Sequence, residues 1–125
     1  MVISYMIKRL GIKIKLILCP IIRDIDGLAM SSRNTYLSSA DRKNALALFH
    51  ALNKTKDLFK TKAITQIKLA INAFLKDSPG IEAEYFEIFN ASSFEPVSSK
   101  RASNIIALVA ARVGSIRIID NMILK

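Results

Sequence analysis

The spacing of apolar residues changes several times along the chain, and each change predicts a different element. Met1 to Leu10 is mostly apolar and closes on Lys8 and Arg9, with Gly11 following. Cations favour the end of a helix and glycine the left-handed residue beyond it, so this stretch reads as the last turns of a helix. Ile12-Lys13-Ile14-Lys15-Leu16-Ile17-Leu18 alternates and then becomes continuously apolar. That pattern predicts a strand with a wet start, buried on both faces further on. Ser38-x-x-Asp41 resembles a capping box, with Asp where Glu or Gln is usual. Ala45, Leu46, Leu48, Phe49 and Leu52 then recur at helical spacing, predicting a helix to about Phe59. A second helix, Ala63 to about Lys76, would bury Ile64, Ile67, Leu69-Ala70-Ile71 and Phe74-Leu75 before Ser78-Pro79-Gly80 stops it. Glu82 to Phe89 alternates and is rich in aromatics, a strand. Ser92 to Ser103 is a polar loop containing Pro96. Ile105 to Val113 and Ile116 to Asp120 are two strands joined by Gly114-Ser115, a two-residue hairpin signal.

The predicted fold class is α+β: two helices followed by a three-stranded antiparallel sheet. The helix and strand before them cannot make a sheet alone. Helix, then strand, then polar loop is the grammar of an α/β sheet, in which ligands sit beyond the carboxyl ends of strands. Residues 1–26 therefore read as the tail of a truncated α/β domain, and residues 27–125 as a C-terminal α+β domain that begins near Gly27.

Composition narrows the class. The 125 residues suffice for one domain with a core. A hydrophobic fraction of 51% with 23% charged residues argues against disorder. No apolar run approaches the roughly 20 residues a membrane helix needs. The N-terminus places Lys8 and Arg9 after its apolar residues, the reverse of a secretory signal. A single cysteine excludes an internal disulfide and a multi-cysteine zinc site. Together these features predict a cytoplasmic protein without a membrane partner.

The net charge of +9 opens a second class, a small basic non-catalytic module that binds RNA or an acidic partner. The lysines and arginines are spread over several elements, however, and no aromatic residues interleave them as a base-stacking platform would. A solvated basic surface is the simpler account of this pattern, and nucleic acid is not the expected partner.

One stretch demands a chemical explanation: Arg23-Asp24-Ile25-Asp26-Gly27-Leu28-Ala29-Met30-Ser31-Ser32-Arg33-Asn34-Thr35-Tyr36-Leu37. It joins the apolar run ending Cys19-Pro20-Ile21-Ile22 to the helix start at Ser38. It contains an Asp-Gly turn signal, two adjacent hydroxyls and a guanidinium. Such a loop can hold a phosphate, with backbone and hydroxyl donors on the oxygens and Arg33 supplying charge and a planar donor fork. A polar loop with an ordinary N-cap would show the same spacing.

The same residues resemble the signature loop of the pantothenate synthetase (pantoate–β-alanine ligase) family. That loop is the family's version of the KMSKS loop of class I aminoacyl-tRNA synthetases. Ala29 and Ser32 stand where the two lysines would be, and Arg33 follows one place later. The likeness continues at Glu84-Tyr85-Phe86-Glu87-Ile88, at Ala110-Ala111-Arg112-Val113-Gly114 and at Arg117-Ile118-Ile119-Asp120-Asn121. It thus covers almost the whole chain in the family's order.

The resemblance implies an ATP-dependent ligase that condenses pantoate and β-alanine to pantothenate through pantoyl adenylate. ATP would come as its Mg2+ complex, with no metal ligand from this chain. The full enzyme would be a homodimer. Catalytic roles fall by resemblance on Ser31, Ser32 and Arg33. ATP contacts fall on these three and on main-chain groups of Ile22 and Met30. The family's Rossmann-like nucleotide-binding domain, with its HIGH-type histidine motif and most pantoate and β-alanine contacts, does not appear in these residues. The fragment alone is therefore expected to be inactive.

The remaining reactive residues have plain readings. His50 has no His or Cys at ligand spacing and reads as a surface or packing residue. Cys19 reads as a small core residue, the methionines as core filler, Glu82, Glu84 and Glu87 as the wet face of a strand, and Arg112 as exposed.

Overall fold

Ser38 starts the longest helix. Its hydroxyl oxygen accepts the Asp41 backbone N–H at 3.1 Å, and its own O–H donates to Asp41 Oδ2 at 2.8 Å. In this computed structural model, which describes residues 2–125, the helix is α2, Ser39–Thr61. Ahead of it lie α1, Val2–Arg9, and a short 3-10 helix, Ser32–Tyr36; after it comes α3, Ile64–Lys76. Strands β1 (Ile81–Asn90), β2 (Ile105–Val113) and β3 (Ile116–Ile123) form an antiparallel sheet in the order β1-β2-β3. The class is α+β, and no helix among the described residues is long and apolar enough to cross a membrane.

The core follows from the two periodicities. Ala45, Leu48, Leu52 and Thr55 on α2, and Ile64, Ile67, Ile71 and Leu75 on α3, recur every three or four residues and are all buried. They pack on Phe86 and Ile88 of β1, on every second residue of β2 from Ile105 to Val113, and on Ile118 of β3. Buried Thr55 donates its hydroxyl to the Ala51 carbonyl at 2.7 Å, so it leaves no orphan polar atom. Truncating a fully buried side chain such as Leu52 to Ala would cost about 2–5 kcal/mol. Gly114 makes the β2–β3 turn with φ +58°, the left-handed backbone such a tight turn requires.

Several expectations need correction. Residues 12–18 form no strand: they have no regular secondary structure and take no ladder partner. A strand exists only through its neighbours, and none lies beside this segment among the described residues. Leu69 is exposed, because the buried stripe of α3 passes through Ile67 and Ile71. Cys19 is exposed for the same reason as the segment it ends. Met6 and Met30 are exposed rather than core filler. Strand β3 runs past Asp120 to Ile123, paired with Ile106, because Asp120 finds a cation on the buried side of the sheet.

Candidate functional site

The Asp-Gly turn shapes the loop. Asp24 N–H donates to Leu28 O at 2.8 Å and Gly27 N–H to Asp24 O at 2.9 Å, while Arg23 and Ala29 form an antiparallel bridge. Gly27 sits at φ +97° under the Phe49 ring, where a Cβ would lie 2.0 Å from a ring carbon. Only glycine fits both the backbone and the space.

Three ion pairs weld this turn to the C-terminal elements. Arg23 grips Asp120 on β3 with Nη1–Oδ2 at 2.6 Å and Nη2–Oδ1 at 3.0 Å, and also donates to Gly27 O at 3.0 Å. Its guanidinium stacks 4.8 Å from the Phe49 ring centroid. Arg42 of α2 bonds both Asp24, at 2.8 Å, and Asp26. The Arg42 hydrogen bond holds the Asp26 carboxyl below the usual carboxylate range, and the two aspartates raise the Arg42 guanidinium still further. Sequence reasoning quoted Arg23, Asp26 and Asp120 but did not pair them; the opposite charges of Arg23 and Asp120 were the available signal.

The welded turn presents the next residues at one edge of the sheet. Met30, Ser31, Arg33 and Asn34 face Arg117, Ile119 and Asn121 of β3 across a groove of about 270 Å³. Ser31 accepts the Arg33 backbone N–H on its hydroxyl oxygen at 3.2 Å, so the hydroxyl proton can still be donated. The Arg33 guanidinium is exposed and makes no hydrogen bond or ion pair among the described residues. Asn34 Nδ2 donates to Ala29 O at 3.0 Å and fixes the loop's second half.

The structure thus brings together Met30, Ser31 and Arg33. Ser32 is exposed beside them but does not line the groove, and neither does Ile22. The Met30 N–H donates to the Ile22 carbonyl at 3.0 Å, so these two main-chain groups already serve each other. A larger cavity of about 410 Å³ lies between α1 and the far end of the sheet, lined by Tyr5, Lys8, Leu18, Ile106 and Ile123, away from the loop. No group of three or more His, Cys, Asp or Glu side chains among the described residues could hold a metal ion. His50 is exposed, its ring 6.3 Å from that of Phe49.

The profile of the pantoate-beta-alanine ligase family matches residues 1–123. The chain belongs to that family. It is 40% identical over 126 aligned positions to the pantothenate synthetase of Caldicellulosiruptor saccharolyticus, covering 99% of this chain and 44% of that protein. The crystal structure of pantothenate synthetase from Thermus thermophilus superposes with a TM-score of 0.89 at 30% identity, over 98% of this chain and 45% of that one. A pantoate-beta-alanine ligase from Francisella tularensis, complexed with beta-gamma ATP and beta-alanine, shares the fold at 23% identity and a TM-score of 0.50, over 98% of this chain and 38% of that one. The chain therefore spans less than half the length of these ligases.

Proposed function

We propose that this chain is the C-terminal part of a pantoate–β-alanine ligase and supplies the loop that handles the phosphates of ATP. In the first step the pantoate carboxylate bonds to the α-phosphorus and pyrophosphate leaves with the electrons of the broken bond. In the second, the β-alanine amine displaces AMP. The chain's own contribution is electrostatic. Ser31 and Ser32 donate hydroxyl protons and Arg33 a guanidinium to oxygens on which charge grows. Removing one such donor typically costs about 10²–10³ in rate. The Mg2+ ion belongs to the ATP complex. A closed site is needed to keep the acyl adenylate from water, and the rest of that enclosure falls to residues outside this chain. The observation that carries the reading is the Arg33 guanidinium, unpaired among the described residues, beside Ser31 on a groove in a chain of this family.

The division into residues 1–26 and 27–125 belongs to the same proposal. The ion pairs of Arg23, Asp24 and Asp26 with α2 and β3 argue for moving that boundary from Gly27 to just N-terminal to Arg23.

A chimera tests the reading. This chain replaces the aligned part of the Caldicellulosiruptor saccharolyticus enzyme, and pantoate-dependent ATP–pyrophosphate exchange is measured. The chimera is expected to catalyse exchange, and Arg33→Ala to lower it about 10²–10³-fold with little change in the pantoate KM. A folded chimera without exchange, or exchange indifferent to Arg33→Ala, overturns it.

A further inference from the structure

We propose that Arg117 is a second phosphate-binding residue of the groove, holding the terminal phosphates of ATP while Arg33 attends the bond that breaks. The inference rests on the reading of the loop as an ATP-phosphate site, and it adds a residue from a different element, 84 positions further along the chain (117 − 33).

Three observations carry it. Arg117 and Arg33 line the same groove from opposite sides, one from β3 and one from the loop. A space of about 270 Å³ lies just below the range that encloses drug-sized ligands, which suits a group the size of a di- or triphosphate rather than a folded partner.

The second observation is an imbalance of charge. Arg117 stands directly opposite Arg112 in the β2–β3 ladder. Like charges at opposed positions destabilise a sheet. A single carboxylate, Glu84, offsets them: it meets Arg117 Nε at 2.7 Å and Arg112 Nε at 3.6 Å. The carboxylate that lines the groove itself, Asp120, is taken by two nitrogens of Arg23. The sheet edge therefore keeps an excess positive charge that an anion would neutralise.

The third is the way Arg117 is held. Nε is the atom that bonds Glu84, which leaves the Nη donors for an incoming ligand. The Glu84 bond, with the Tyr85 hydroxyl nearby, holds the guanidinium charged and oriented. Arg117 alternates with inward-facing Ile118, so its side chain lies on the sheet face away from the helices, and it is half exposed. As pyrophosphate leaves, negative charge accumulates on it, and a planar donor fork there binds the departing group in both ground and product states.

Titration with inorganic pyrophosphate tests this on the 125-residue chain. The arginine side-chain Nε–H signals are followed by NMR in the wild type, in Arg33→Gln and Arg117→Gln, and in Arg101→Gln, an exposed position outside the groove; the spectra also report folding. The expected result is that the Arg33 and Arg117 signals saturate on one curve. Arg33→Gln and Arg117→Gln each weaken binding about tenfold, and Arg101→Gln leaves it within about twofold. Binding weakened by Arg33→Gln and untouched by Arg117→Gln overturns the role of Arg117 and leaves the loop reading standing. Loss with Arg117→Gln alone removes the loop from the groove and the shared site with it. No binding to the wild type overturns both.

Discussion

Arg23 and Asp120, 97 positions apart, meet through two charge-assisted hydrogen bonds of 2.6 and 3.0 Å, the carboxylate side chain almost fully buried. Arg23 opens the loop and Asp120 lies in β3, so this pair fixes the groove's two walls relative to each other. The Phe49 ring under Arg23 and the Gly27 carbonyl complete its surroundings.

Breaking that pair leaves a mostly buried guanidinium, its side chain 20% exposed, without its partner. Asp120→Ala is therefore expected to destabilise the chain by about 3–5 kcal/mol, read as a lower urea midpoint. A loss below about 1 kcal/mol, the scale of an exposed pair, would show that Arg23 finds water instead.

Gly27 tests the steric part of the same turn. Gly27→Ala adds a Cβ inside the Phe49 ring position at a positive φ. Strain at such a position costs roughly 1–3 kcal/mol before any clash is counted. Adding Phe49→Ala to Gly27→Ala should cost less than the sum of the two single changes, because the clash partner is gone. Strict additivity in thermal unfolding would place the whole effect in the backbone.

The Asp26–Arg42 bond predicts a pH dependence. The native Asp26 carboxyl is held below its ordinary value by the Arg42 hydrogen bond. Its stabilising contribution is thus complete above the unfolded value of about 3.9 and is lost as pH falls through the lowered native value. Asp26→Asn should lower the urea midpoint at about pH 6 and lower it by less at about pH 3, where the unfolded carboxyl has already taken up its proton. An equal deficit at both pH values would show that the carboxylate charge is not what the turn uses.

Residues 12–18 should associate with a second copy when the chain is studied alone. Ile14, Ile17 and Leu18 are 60–73% exposed, and α1 buries none of its residues. An unpaired apolar segment of this kind invites pairing. Sedimentation velocity is expected to show concentration-dependent dimers that Ile14→Lys with Ile17→Lys abolishes. Deleting residues 1–20 should leave cooperative unfolding intact, since the buried core begins at Leu28. A wild-type chain that stays monomeric at high concentration removes the segment as a contact.

The sequence by itself determined the elements with a strong local period. Helices α2 and α3, the three strands and the Gly114 turn could be read from spacing because each buries one stripe or one face, and burial imposes that spacing. It also marked Ser31, Ser32 and Arg33, since hydroxyls beside a guanidinium in a turn have a chemistry of their own. Tertiary structure decided what depends on distant partners. Residues 12–18 carry a strand's pattern and form none, because a ladder needs a neighbour. Asp120 looked like the end of a strand and is instead inside one, because Arg23 arrives from the far end of the chain to neutralise it. Arg117 carried no chemical signal of its own in the spacing, and only the closure of β3 against the loop set it across a groove from Arg33. Periodicity is a property of one segment; charge pairing across 97 residues is a property of the folded whole.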